Sequence, residues 1–408
     1  MNDAFFAPLS GLAEASPHTR ACPELPDAEW VHIGVQRVLE EVPSGRGFLQ
    51  EHGPRFTQAP KISNYFSSLH SARRGAVLQD VGDTVLQSVS RSGTDRLGHI
   101  PELASYVCFA VDLHWHRAGA HDDRYDGKKV AVGHCYSLNL HDHSIRHLAA
   151  AEGEHEHDMS LLQRLKPKGL RQGVPKGRRV LTVYDRAGVD LGFWKRCRQE
   201  NAVYFLSRAK SNMVFEWAED NAWDRSDSRN RGVLFDQWVL SREGHRLRLI
   251  EYRDPETGRV FLFLTNEPDL PPGVLAELYR RRWEVEKVFD DIKNKLGEKR
   301  AWASSQEART IQGRFVALTC NLLVLYERRL ERDHGVQNRA EDERRQKRLG
   351  SLSEMSKAAG RAMSTLLETG RQATQRSVKF VRWLRHALRD RLAEQAAVGR
   401  LVQLYAAL

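Results

Sequence analysis

Four polar side chains recur at helical spacing in the stretch LAELYRRRWEVEKVFDDIKNKLG. They are Tyr279, Arg282, Glu286 and Lys293, and at about 100° per residue they share one helix face roughly 60° wide. Apolar residues occupy the neighbouring face, which predicts packing against a core. The polar group is therefore expected at the border between core and solvent, where a helix can present reactive side chains.

The chemistry of this group suits a site for phosphate and metal. A carboxylate such as that of Glu286 binds divalent cations, while Arg282 and Lys293 bind phosphate oxygens. The alternative is a solvated helix face with ion pairs four residues apart, such as Arg282 with Glu286. Helix geometry alone favours this alternative. Asp290 falls on the same face and is a rival to Glu286 as a metal ligand.

Two aspartates stand at the ends of apolar runs. Asp112 lies within YVCFAVDL, and Asp185 directly follows the apolar run at 180–184. A carboxylate in such a place is costly unless it meets a cation or a proton. If the two strands are neighbours, their carboxylates converge, and the long helix can bring Glu286 against them. Three carboxylates then hold two Mg²⁺ ions about 4 Å apart, which suits phosphoryl transfer.

Each acid also has a purely structural explanation. Asp112 could be answered by a neighbouring histidine, His114 or His116, and Asp185 could be a turn residue between a strand and a helix. Glu286 could belong to a surface ion pair. Each explanation is reasonable alone, but all three together are less so, and the combination favours a metal site.

The surrounding elements predict an α/β fold. Strand-like stretches at 106–113, 130–140, 144–150, 180–184 and 202–207 are joined by helical stretches at 158–165 and 191–201. Uniformly apolar strands are typical of a sheet that helices cover on both faces. Runs between about 213 and 265 predict an antiparallel β insertion. The long helix follows at about 274–296 and is ended by Gly297.

The three acidic regions together resemble one known family. The spacing Tyr-(2)-Arg-(3)-Glu-(6)-Lys is similar to the signature of bacterial insertion-sequence DDE transposases. The runs FAVDLHW and LTVYDRAG resemble the first and second aspartate regions of the same family, and Asp-Arg-Ala-Gly is especially typical. The resemblance covers about 100–330 and is weaker in the flanking helical segments.

This resemblance implies an RNase H-like mixed sheet flanked by helices, with helical N- and C-terminal regions. It also implies metal-dependent transposition by a cut-and-paste route through a hairpin intermediate. Asp112, Asp185 and Glu286 would be the catalytic ligands of two Mg²⁺ ions, for which Mn²⁺ can substitute.

The resemblance also assigns DNA contacts. Tyr279, Arg282 and Lys293 would grip the DNA near the cut. Trp283 would pack beside an extruded base, since stacking offsets part of the cost of flipping it. The alternative for Trp283 is a partly buried helix aromatic.

Other polar groups offer rival sites. Five histidines are dense enough to suggest a transition-metal site, namely His141, His143, His147, His155 and His157. No cysteine supports this cluster, and such histidines more often contact solvent or phosphate, so zinc is disfavoured. Asp122, Asp123 and Asp126 predict a solvated acidic loop. The basic loop at 166–179 is a better candidate for a DNA contact.

Composition sets weaker limits. The formal net charge of +10 and the pI of about 9.4 favour an anionic partner such as double-stranded DNA. The five cysteines contain no CxxC pair, which argues against a disulfide scaffold and for a reducing compartment. No segment approaches the length needed to span a bilayer. We therefore expect a cytoplasmic protein that is associated with the nucleoid when bound to DNA.

Three regions are expected along the chain. They are a helical DNA-binding region at 1–100, in which Asp27 is predicted to cap a helix through Val42, a catalytic domain at 101–330, and a helical region at 331–408. The amphipathic C-terminal tail could mediate dimerisation or fold back on its own chain. Because transposition joins two DNA ends, a homodimer on DNA is expected.

Two other classes of function stay open from the sequence. The first is a catalytically inactive or repurposed DNA-binding protein that keeps the fold. Retention of all three acids with Arg282 and Lys293 favours the active enzyme. The second is a zinc-dependent enzyme built on the histidines, which predicts bound zinc in the purified protein.

Overall fold

The structure of the chain is a computed structural model that describes most of its residues. The described residues are 2–40, 44–56, 60–93, 95–117, 124–125, 128–129, 131–152, 156, 158–255, 257–282, 296, 300–336 and 380–406. None of the helices in these ranges is long and apolar enough to cross a membrane.

The strands begin at the end of the N-terminal helical region. They are β1 (Tyr106–Arg117), β2 (Arg124–Tyr125), β3 (Lys128–Lys129), β4 (Ala131–Asn139), β5 (Ile145–Ala150), β6 (Arg179–Val183), β7 (Val203–Arg208), β8 (Phe215–Asp220), β9 (Val233–Ser241), β10 (Arg246–Arg253) and β11 (Val260–Thr265). The apolar runs of the sequence therefore form strands, as predicted.

Helices precede, connect and follow these strands. They are α1 (Asn2–Phe6), α2 (Leu12–Ala15), α3 (Asp27–Leu39), α4 (Gly45–His52), α5 (Ile62–Ser68), α6 (Ala72–Ser92), α7 (Asp158–Leu170), α8 (Leu191–Asn201), α9 (Pro272–Arg281), α10 (Gln306–His334) and α11 (Glu394–Ala406). Residues 380–389 also form a helix. Helix α9 begins two residues before the long helix predicted at 274–296 and covers its first eight residues, 274–281.

Nine of the described strands form one mixed sheet in the order β5-β4-β1-β6-β7-β11-β10-β9-β8. β1 pairs antiparallel with β4 and parallel with β6, and β6 pairs parallel with β7. Parallel neighbours need crossover connections, and α8 supplies the one between β6 and β7. The half β5-β4-β1-β6-β7 has the order of an RNase H-like sheet, so the predicted fold class is confirmed.

The β insertion continues this sheet. Its strands β8–β11 are mutually antiparallel, and β11 pairs antiparallel with β7. The insertion therefore extends the sheet beyond β7, and its described strands fall within the predicted range. A buried ion pair between Arg248 of β10 and Asp236 of β9, with Nη2 and Oδ2 2.5 Å apart, ties two of these strands together.

Helices cover both faces of the sheet, and the sequence alternation decides which residues each face receives. On the back face, Val111 and Phe205 pack with residues of α7 and α8, including Trp194. On the front face, Ala110 and Val183 belong to the core formed with α3, α6, α9 and α10. Because side chains alternate along a strand, residues two positions beyond Ala110 and Val183 also point to the front.

The C-terminal tail folds back on its own chain. Trp383 and Leu384 are buried in the same core as α3 and α10, and the Trp383 indole nitrogen donates to the carbonyl of Ala397 at 2.7 Å. Arg329 of α10 lies 3.2 Å from the Glu394 carboxylate. This packing accounts for the amphipathic pattern without a second copy of the chain.

Candidate active site

Asp112 and Asp185 lie at the same level on the neighbouring parallel strands β1 and β6, at the point where β6 ends. In the register of β1 and β6, Ala110 is the partner of Val183. Two residues further along each strand are Asp112 and Asp185, so the two acids are level with each other on the front face. Neighbouring strands are about 5 Å apart, which puts the two carboxylates within reach of shared ligands.

Local hydrogen bonds fix the backbone around both acids. The Leu113 amide donates to Asp112 Oδ1 at 2.9 Å, and the Ser207 hydroxyl donates to the carbonyl of Asp185 at 2.7 Å. Asp112 is the seventh residue of β1, whereas Asp185 lies two residues after Val183, the last residue of β6, and directly precedes a 3-10 turn at Arg186–Gly188. The chain therefore leaves the direction of β6 directly after Asp185.

Helix α9 brings two of the predicted polar residues against this pair. Arg282 is 5% exposed, and its Nη1 lies 3.7 Å from Asp112 Oδ2. The guanidinium carbon of Arg282 lies 5.7 Å from the ring centroid of Tyr279, which is 6% exposed. Burial raises the pKa of Tyr279, and the nearby cations Arg282 and Arg208 offset part of that rise. The phenol is therefore neutral and able to donate a hydrogen bond.

These contacts decide between two interpretations of the helix. A solvated face with surface ion pairs requires Tyr279 and Arg282 to be exposed, but both are buried. Arg282 contacts the carboxylate of Asp112. The structural alternative had proposed a neighbouring histidine as the partner of this acid. Arg282, at the end of α9, and Asp112 of β1 are therefore in contact, and the catalytic roles of these residues stay predictions.

Several predicted site residues lie outside the described residues. They are Trp283, Glu286 and Lys293, together with the rivals Asp290, Asp122, Asp123 and Asp126 and the histidines His155 and His157. Their roles stay predictions from the sequence.

A buried histidine cluster lies next to Asp112 on the same face. It consists of His114 and His116 of β1, His134 of β4 and His147 of β5, all at most 7% exposed. His134 Nδ1 and His147 Nε2 are 3.1 Å apart, and the rings of His116 and His134 stack at 4.8 Å. Burial lowers the pKa of His134 strongly and that of His147 to about 3, so both rings are neutral.

This cluster corrects one expectation from the sequence. His147 was expected to contact solvent or phosphate, which is wrong because it packs against His134 and Gly313 of α10. His141 and His143 do not join the cluster. His141 Nδ1 lies 2.9 Å from Asp95, and a ring nitrogen of His143 lies 2.6 Å from Arg96. The period-two spacing of Asp112, His114 and His116 was the available signal.

The donor set favours a hard divalent cation. No three His, Cys, Asp or Glu side chains of the described ranges form a group that could hold a metal ion. Asp112 and Asp185 supply two carboxylates in one row, and carboxylate oxygens are the ligands that Mg²⁺ prefers. A third acid must come from elsewhere, and Glu286 follows Arg282 by four residues in the sequence.

Comparison with known proteins gives one family match, and its span includes three of the residues described above. Residues 115–322, just over half of the chain, match the family model described as the transposase DDE domain. Asp185, Tyr279 and Arg282 fall inside the matched span, and Asp112 lies three residues before it. A comparison with curated proteins finds no match.

Proposed function

Because the chain belongs to the transposases with a DDE domain, we propose that it is a cut-and-paste transposase in which Asp112, Asp185 and Glu286 bind two Mg²⁺ ions. Membership of the family implies a transposition-related nuclease that binds DNA and uses divalent metals. The residues, the number of ions and the route are the proposal.

One observation carries the assignment of the first two acids. The register of β1 and β6 sets Asp112 level with Asp185, and the nearly buried Arg282 contacts Asp112 from α9. Two adjacent carboxylates repel each other unless a cation lies near them. Glu286 is proposed from its sequence spacing after Arg282 and from the family resemblance.

The bound ions would activate the attacking oxygen and stabilise the leaving oxygen of a phosphodiester. In the first step, water attacks the phosphorus at the end of the element, the bond to the 3′ oxygen breaks, and a 3′-OH is released. That hydroxyl then attacks a phosphodiester of the opposite strand, the bond to the 3′ oxygen of the flanking DNA breaks, and a hairpin forms. Water then cleaves the new phosphodiester of the hairpin and frees the 3′-OH again. The freed 3′-OH finally attacks target DNA.

The described residues would act on the DNA rather than on the reacting oxygens. The buried guanidinium of Arg282 can donate to a phosphate oxygen while it stays near Asp112, and the neutral phenol of Tyr279 can donate a second hydrogen bond. Lys293 would bind the backbone further along the helix, and Trp283 would stack on an extruded base. Two DNA ends must be held together, so we propose that a homodimer acts.

The test is strand cleavage of a labelled duplex taken from the DNA that flanks the coding region. Mg²⁺-dependent nicking by the unchanged protein is expected. Glu286→Ala, Asp112→Asn and Asp185→Asn should each lose more than about 100-fold in rate, since removal of one charge-stabilising group costs that much. All three should keep DNA binding, because each change makes the net charge more positive.

A matched control separates the loss of a ligand from the loss of a charge. Glu216→Gln removes one negative charge from the exposed face of β8 and should cleave like the unchanged protein. Equal cleavage by Glu286→Ala and the unchanged protein would refute the role of Glu286. DNA binding without any metal-dependent cleavage would favour an inactive, repurposed protein.

The hairpin has its own readout. On a denaturing gel, a hairpin migrates as one strand of doubled length, whereas simple double-strand cleavage gives two strands of unit length. Appearance of the longer product before the blunt product supports the hairpin route. Direct appearance of blunt ends would refute it.

A further inference from the structure

Arg208 continues the row of Asp112 and Asp185 across a third strand. Val183 of β6 is the register partner of Leu206 of β7. Two residues further along each strand are Asp185 and Arg208, which are therefore level on the front face. The Ser207 hydroxyl also holds the carbonyl of Asp185 at 2.7 Å, so the ends of β6 and β7 are joined directly at this point.

The guanidinium of Arg208 has no acidic partner among the described residues. Its buried Nε has no hydrogen-bond acceptor there. The guanidinium carbon lies 5.0 Å from the ring centroid of Phe261 on β11, so an aromatic ring supports one side of the group. A partly buried donor without an acceptor is unfavourable, which is the situation that an incoming anion would relieve.

The surroundings of Arg208 are cationic. Burial, followed by the charges of Arg186, Arg259 and Arg282, lowers the pKa of Arg208. Like charges gathered at one place repel each other, and a polyanion that binds between them removes that cost. The strand ends thus have an acidic side, at Asp112 and Asp185, and a basic side, at Arg208.

We propose that Arg208 binds a backbone phosphate of the DNA strand that is cut, next to the scissile phosphate. The proposal rests on the proposed function, since it takes the two acids as the place of cleavage. The planar guanidinium can donate two parallel hydrogen bonds to one phosphate, and Phe261 fixes its plane. Arg208 is thus a binding residue that sets the register of the strand over the acids.

Equilibrium binding tests this contact without cleavage. A fluorescent duplex from the DNA that flanks the coding region is titrated with protein in EDTA at several KCl concentrations, and anisotropy gives the affinity. Arg208→Gln should bind about tenfold more weakly and lower the slope of log affinity against log salt by about 0.9, the value for one phosphate contact. Arg208→Lys should keep the full slope but bind more weakly than the unchanged protein.

Arg246→Gln is the matched control. The Arg246 guanidinium carbon also lies over an aromatic ring, that of Trp238 at 4.6 Å, but the side chain is 56% exposed and belongs to the insertion. This variant should keep both affinity and salt slope. Circular dichroism and thermal unfolding check that each variant is folded. If Arg208→Gln does not fold, the comparison of Arg208→Lys with the unchanged protein decides.

A second measurement locates the phosphate. Each phosphate near the cut is replaced in turn by a neutral methylphosphonate. At the contacted position, the replacement should weaken binding by the unchanged protein and have no further effect on Arg208→Gln, which a merely structural role would not produce.

The outcomes separate the two proposals. Unchanged affinity and salt slope in Arg208→Gln, or full affinity in Arg208→Lys, would overturn the phosphate contact. Weaker binding and a lower salt slope in Arg208→Gln, together with no metal-dependent cleavage by the unchanged protein, would refute the enzymatic proposal and leave Arg208 as a phosphate contact of a DNA-binding protein.

Discussion

Replacing Arg248 by methionine should destabilise the protein strongly, because its guanidinium is buried between two carboxylates. Arg248 is 1% exposed, and Asp236 and Glu267 are fully buried. The guanidinium contacts Asp236 at 2.5 and 3.2 Å and lies 3.5 Å from Glu267 Oε2. It also donates to the carbonyls of Glu267 and Leu270.

The hydrogen bonds that remain in Arg248→Met determine how strongly each buried carboxylate is destabilised. Without Arg248, Glu267 still accepts from the Tyr106 hydroxyl and from two backbone amides, whereas Asp236 keeps a 2.8 Å bond from the Asn221 side chain. Asp236 therefore becomes the uncompensated buried charge. Breaking a buried pair in this way costs about 3–5 kcal/mol, and we expect Arg248→Met to lower the free energy of unfolding by that amount.

Urea unfolding followed by circular dichroism measures the effect, with Arg246→Gln as the control. Arg246 lies two residues away on the same strand and pairs with Glu219, but both side chains are 56% exposed. Exposed pairs contribute about 0–1 kcal/mol, so this variant should unfold almost like the unchanged protein. Adding Asp236→Asn to Arg248→Met should restore part of the stability. A loss below 1 kcal/mol in Arg248→Met would refute the reasoning.

Two further predictions concern packing and pH. Gly34→Ala should cost about 1–3 kcal/mol by urea unfolding, because a Cβ there would lie 2.1 Å from the Phe315 ring. Gly82→Ala, also within a helix, should stabilise by about 0.5–1 kcal/mol, since no described atom lies within 4 Å of its Cβ. Stability should fall from pH 6.5 towards 3 by up to about 1.4 kcal/mol per pH unit, because His147 has a pKa near 3 when folded and protonates more readily when unfolded. Unfolding of His147→Gln over the same pH range should show a shallower fall, and an equal fall would contradict the assignment.

The sheet and the two aspartates were predictable because their signals are local. Apolar runs of five to eight residues define the central strands, and an acid at the end of such a run is conspicuous. The α/β class follows from strands and helices that alternate along the chain. Asp112 and Asp185 can lie side by side only if β1 and β6 are neighbours. In the sequence, only the family resemblance indicates this, and the structure shows that the two strands pair in parallel.

Contacts that depend on distant parts of the chain escaped prediction. Asp27 was predicted to cap a helix through Val42, but it is the first residue of α3, which ends at Leu39. Its buried carboxylate instead binds Arg73 at 2.6 Å. The same holds for Arg208, whose position level with Asp185 appears only once β7 is set beside β6. An arginine at a strand end has no local pattern that distinguishes a phosphate ligand from a solvated side chain.

The insertion links fold stability to the geometry of the active site. Arg248 holds the carbonyls of Glu267 and Leu270, which lie just before α9, and Glu267 accepts from the Tyr106 hydroxyl at the start of β1. The start of α9 is also pressed against the insertion, since a Cβ on Gly273 would lie 2.0 Å from the carbonyl oxygen of Arg229. Arg282 follows the first residue of α9, Pro272, by ten residues and contacts Asp112. The buried ion network therefore sets the position of α9 relative to β1 and β6, and we predict that a variant such as Arg248→Met impairs the proposed cleavage even in the fraction of molecules that stays folded.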